Sequence, residues 1–170
     1  SRFGFREKAG GIPCLFRYQP FDKAIHMFRK ALLACLLMVA GSAIADFPRA
    51  ELTAGFHRIE AEVVANPADR AQGLMNRRHL APNQGMIFVF PASAVHCFWM
   101  KNTPLPLSIA FLDEKGVIIS IDEMAPETED NHCPSGPARF ALEMNAGWFK
   151  AKGLKAGSVI GGVNKLPAGQ

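Results

Sequence analysis

A chain of 170 residues with 49% hydrophobic and 20% charged content describes one globular domain able to bury an adequate core. Its formal net charge of +4 invites a nucleic-acid partner, but the charge is unevenly placed. Residues 1–45 hold seven Lys or Arg against two acids, whereas residues 46–170 hold twelve against thirteen, so the basic excess belongs to the leader and nucleic acid drops out of the expectations.

Residues 1–26 fit neither a targeting signal nor a domain, and read as a non-native or gene-model extension ahead of Met27. Met27-Phe28-Arg29-Lys30 is a positive start, residues 31–40 are apolar, and Ala43-Ile44-Ala45 places small residues before a cleavage point at Asp46. Residues 27–45 therefore read as a signal peptide, which predicts a periplasmic or secreted protein that meets the membrane only during export. The apolar run falls short of the roughly 20 residues of a transmembrane span. Cys35 lies inside that run, with too little hydrophobic length before it for a lipid anchor.

Residues 46–55 read as a linker, and residues 56–163 as a single β domain. From 56 to 65 the pattern alternates, with Ile59, Ala61, Val63 and Ala65 on one face and Arg58, Glu60 and Glu62 on the other, as a half-buried strand requires. Asn66-Pro67 opens a helix, with Asn66 as N-cap, Pro67 in the first turn and Asp69 suited to the helix dipole. Gly73 suits a close approach to the sheet. Residues 86–90 form a short apolar strand ended by Pro91, and residues 95–100 a further strand. The clearest hairpin joins residues 107–112 to 117–124, with Gly116 at the left-handed position of its loop. After a long polar loop over 125–137, a strand follows over 138–144. A short helix covers 148–152, closed by Gly153, then a last strand near 158–160 and a disordered tail over 164–170. Short strands with turn signals and two brief helices predict a mainly β fold, a jelly-roll-like β-sandwich with a small closed β-barrel as the alternative.

Residues 98–106, Phe-Trp-Met-Lys-Asn-Thr-Pro-Leu-Pro, draw the most attention. Bulky residues pass into a charge, an amide and a hydroxyl, and then into prolines that cannot donate to a ladder. Arg70-Ala71-Gln72-Gly73-Leu74-Met75, Gly85-Met86-Ile87-Phe88-Val89-Phe90, Phe98-Trp99-Met100-Lys101-Asn102-Thr103 and Gly136-Pro137-Ala138-Arg139 occur in that order. Together they resemble the prokaryotic family numbered 192 among the domains of unknown function, over about residues 56–162. The resemblance implies a small, mostly β domain similar to a jelly roll. It implies no reaction.

Chemistry must then come from the residues. No nucleophile motif is present, and neighbouring His96 and Cys97 point to opposite faces of a strand. Cys97 and Cys133 are the thiols left after cleavage; a bridge is permitted in an oxidising compartment. Cys97 in an apolar strand nevertheless behaves as a small hydrophobe, so two separate structural cysteines are expected. His79, His96 and His132 with Met75, Met86, Met100, Met124 and Met144 could suit copper, but their spacing matches no metal motif and the methionines read as core, so neither a metal nor a cofactor is expected.

The remaining candidate is a cleft at gathered strand ends. Lys101 and Asn102 close one strand, Glu123 closes another and Arg139 opens a third, with Trp99 as an apolar wall. Such a cleft would bind a small polar ligand or an envelope component. The leading function is thus an exported binding or accessory domain of the cell envelope; the alternatives are a small hydrolase or lyase using Glu123 and Lys101, and a copper-handling protein.

Overall fold

The computed structural model describes residues 47–170. The leader reading over 1–45 and its cleavage point lie outside the described residues. Among those described, no helix is long and apolar enough to cross a membrane.

Seven strands make one mixed sheet: β1 (Arg49–Ala54), β2 (His57–Val64), β3 (Gln84–Ala94), β4 (Leu107–Leu112), β5 (Ile118–Met124), β6 (Ala138–Asn145) and β7 (Ile160–Gly161). Their order is β5-β4-β6-β3-β2-β1-β7. Every pair is antiparallel except β2 with β3, which need a crossover; it is supplied by α1 (Pro67–Gln72). A second short helix, α2, spans Trp148–Ala151.

The two outer strands do not stay apart. Ile118 N–H donates to the Ser158 carbonyl and Ile160 N–H to that of Gly116, each at 2.8 Å, so the sheet curls until its edges meet. The turn that permits this needs Gly116, whose φ is +81° and whose Cβ would stand 2.3 Å from the Ile160 carbonyl oxygen. The mainly β expectation, sandwich or barrel, holds in this curled form.

Curling gives the sheet two apolar faces. The inner face buries Leu52, Ile59, Ala61, Val63, Ile87, Val89, Leu142 and Phe149. The outer face buries Met86, Phe88, Phe90, Leu107, Ile109 and Phe111 beneath α1 and the loops around residues 98 and 125. Period two along β3 assigns its neighbours to opposite cores. This explains why β3 and β4 read as continuous apolar runs rather than alternating ones.

Several local expectations hold. Asn66 caps α1, its side chain accepting from Asp69 N–H at 2.9 Å, and the 107–112/117–124 hairpin is β4 with β5. Four others are corrected. The presumed linker contains β1, which pairs with β2 from Arg49↔Glu62 to Ala54↔His57. Pro91 does not end β3, which runs on to Ala94. Residues 95–100 are not a strand; Phe98 alone bridges to His132. The tail is not loose either, since Gln170 N–H donates to the Ala65 carbonyl and its own carbonyl accepts from Arg70.

Candidate functional site

A cavity of about 400 Å³ opens on the outer face of the sheet, and three of the four sequence motifs meet there. Residues 70–75 form one wall, Phe88 and Phe90 the floor from β3, and residues 95–99 with Thr103 the opposite wall. From β6 it receives the side chain of Glu143.

Each wall is held for a local reason. Gly73 takes φ +48° to end α1, its N–H returning to the Asp69 carbonyl at 2.9 Å. A Cβ there would stand 3.3 Å from Phe88 Cζ, so glycine lets the wall lie close on the floor. Arg70 clips that wall to the sheet by donating to the carbonyls of Ala65, Val89 and Gln170 at 2.6, 2.9 and 2.7 Å. Asn76, also left-handed, donates its N–H to the Asn102 carbonyl at 2.8 Å and so joins the two walls. Arg77 grips the buried Glu62 with two bonds of 3.1 and 2.6 Å, fixing the turn after α1 to β2.

The opposite wall is fastened to the 125–133 loop. Phe98 and His132 exchange main-chain bonds of 2.9 and 2.8 Å, and Met100 N–H donates to the Thr128 carbonyl. His132 Nδ1 lies 2.6 Å from an Asp122 carboxylate oxygen on β5. Beside this pairing, Cys97 and Cys133 form a disulfide, which corrects the expectation of two separate cysteines. The reason is that the Phe98–His132 bridge sets the preceding and following residues opposite each other, with Cα atoms 4.2 Å apart. The disulfide removes Cys97 as a nucleophile.

Of the residues singled out in the sequence, Trp99 lines the cavity, half-exposed at its rim. Lys101 Nζ sits 5.3 Å from the Trp99 ring centroid and 3.3 Å from the Glu129 carboxylate. Asn102 is exposed in a left-handed turn and serves through its carbonyl. Glu123 accepts from the Ser108 hydroxyl at 2.7 Å and the Gly147 N–H at 3.1 Å. Arg139 lies over the Phe140 ring at 5.3 Å, with Nη1 buried and without a partner. The last four are not among the residues lining this cavity, and Lys101 pairs with Glu129 rather than Glu123. Among the described residues no three His, Cys, Asp or Glu side chains cluster as metal ligands.

Glu143 is the residue the sequence reading missed. It is 4% exposed, sits between Met86 of β3 and Ile109 of β4, and no side chain among the described residues bonds or pairs with its carboxyl group. Burial pushes its pKa up from the ordinary 4.5 to about 8. Its signal was a single acid inside the apolar run Phe140-Ala141-Leu142-Glu143-Met144. The site can therefore present a largely protonated carboxyl group among the aromatic faces of Phe88, Phe98 and Trp99 at neutral pH.

Solved structures similar to this chain include the following two. A proposed transcription regulator from Sinorhizobium meliloti 1021 is 35% identical over 66% of this chain and 90% of its own, with a TM-score of 0.62. A protein of unknown function from Novosphingobium aromaticivorans DSM 12444 is 30% identical over 69% of this chain and 88% of its own, with a TM-score of 0.65. No curated protein matches. The family model DUF192, described as an uncharacterized ACR, matches residues 50–162, so the chain belongs to that family.

Proposed function

We propose that the protein is an exported domain of the cell envelope that binds a small molecule in the cavity over Glu143. One observation carries this reading: an acid only 4% exposed, with no side-chain partner among the described residues, faces a cavity large enough for a ligand. A buried polar group ordinarily finds a partner, because desolvation without one costs about 1–3 kcal/mol. A methionine or leucine at that position would complete the outer core, so the acid is a burden on the fold unless something meets it. Perturbed acids in clefts mark functional sites for this reason.

The mixed lining, aromatic rings beside Arg70, Gln72, His96, Thr103 and Glu143, suits a small organic ligand that carries polar groups. Trp99 stands at the rim, where it can meet the part of a ligand that protrudes. Export is supported by the basic, apolar and small-residue order of residues 27–45 and by a disulfide, which persists in oxidising compartments. The near balance of charge over residues 46–170 gives no electrostatic footprint for nucleic acid.

The test is a fragment screen by protein-observed NMR on the full chain, repeated on Leu74→Trp, which fills the cavity from one wall. Binders that shift residues 70–75, Phe98 and Glu143 and are lost in the variant support the site. Binders that map elsewhere and survive Leu74→Trp overturn it. N-terminal sequencing of the protein from its host tests export, with a mature start at Asp46 expected and a retained leader contradicting it.

A further inference from the structure

We propose, resting on the ligand-binding reading above, that the cavity selects a small organic amine, whose N–H donors meet the Glu143 carboxylate and whose carbon body lies against Phe88, Phe98 and Trp99. The first support is the missing partner. Glu143 is an acceptor-rich group when ionised, and none of the described residues donates to it. An ammonium supplies both the donors and the counter-charge that a buried carboxylate needs.

The second support is the ring faces. Phe90 is already occupied, with His96 stacked on it at 3.7 Å and the Arg70 guanidinium 5.3 Å from its centroid. Phe88 and Phe98 meet edge to face at 4.9 Å, Phe98 also meets Phe90 and Phe111 edge to face, and both Phe88 and Phe98 line the cavity. Aromatic faces attract cations, and the exterior of the site already shows it where the Lys101 amine lies over Trp99.

The third support is where the other charges sit. Arg70 from α1 and His96 from the facing wall are the other ionisable groups lining the cavity, and both pack on Phe90. Glu143 stands opposite Met86, four residues before Phe90 on β3, which at about 3.4 Å per residue separates the two levels by roughly 14 Å. Arg70 also spends three donors on main-chain carbonyls. At the level of Glu143 the flanking charges are already paired, Glu62 of β2 with Arg77 and Asp122 of β5 with His132, and Arg139 on the same strand lies over the Phe140 ring, so the Glu143 end is open to a cation.

Because burial raises the Glu143 pKa to about 8, taking up a cation below that pH expels a proton. The experiment is isothermal titration calorimetry of the full chain with 2-phenylethylamine and, in parallel, the uncharged 2-phenylethanol, at pH 6 and pH 8. The amine is charged throughout that range, so its association constant should rise about 50-fold from pH 6 to pH 8, while the alcohol's does not rise. Glu143→Gln, isosteric with the protonated acid, should flatten the amine's pH response. If the alcohol binds in the cavity as tightly as the amine at pH 8, the choice of a cation is wrong and the cavity remains a ligand site. If neither probe binds, or both bind unchanged by Leu74→Trp, the cation assignment falls together with the site itself.

Discussion

Replacing Glu143 with Gln should change how stability depends on pH, and the size of that change follows from the burial of one group. The folded pKa of about 8 stands above an unfolded value near 4.5. Between those values the folded state holds a proton that the unfolded state has released, so unfolding becomes progressively easier as pH rises. At about 1.4 kcal/mol per pH unit, the cost is about 1 kcal/mol at pH 5, about 3 at pH 7 and about 4 at pH 8. Glutamine has no such cost, although its amide still lacks a partner, and that constant offset is the same at every pH. Urea unfolding of both proteins at pH 5 and pH 8 separates the two effects. The variant should gain about 3–4 kcal/mol on the wild type between the two pH values. Parallel stabilities across that range would refute the reasoning, because they would mean that Glu143 ionises in the folded state as it does in the unfolded chain.

The Cys97–Cys133 bridge closes a loop of 36 residues, so Cys133→Ser should lower stability in urea by about 4 kcal/mol on chain-entropy grounds. Peptide mass spectrometry of unreduced protein should find these two cysteines joined; free thiols at both would contradict the pairing. Phe111→Ala, at a position 1% exposed in the outer core, should cost about 3–5 kcal/mol, measured by the same unfolding assay. Gly116→Ala should cost on the order of 1–3 kcal/mol and raise amide exchange at Ile118 and Ile160, because a Cβ there displaces the Ile160 carbonyl that helps close the sheet.

What could be read from the residues was what neighbours in sequence decide. Asn66-Pro67 carries its own helix start, Gly116 its own turn, and the alternation around Ile59 its own strand. What could not be read depends on partners far along the chain. Residues 49–54 carry little hydrophobic pattern, and they are a strand because β2 lies on one side and β7 on the other. The bulky residues of 95–100 looked like strand material, yet the 125–133 loop pairs with them at a single bridge. That same bridge decides the disulfide. Glu62 and Glu143 illustrate the limit most clearly. Period two marks the face each occupies, but whether that face is wet depends on coverings from elsewhere. Glu62 is buried beside Arg77, while Glu143 is buried with no such partner. Of the residues read as a cleft, Trp99 alone lines the cavity. The acid at its floor was not legible, because it belongs to a strand more than forty residues later in the chain.

The most direct measurement is the titration of the Glu143 side-chain carboxyl carbon by ¹³C NMR in the ligand-free protein. A buried acid that faces the cavity and has no partner among the described residues should titrate near pH 8, well apart from the exposed glutamates. A midpoint near 4.5 would show that the group is solvated or paired, and would contradict the account of the site.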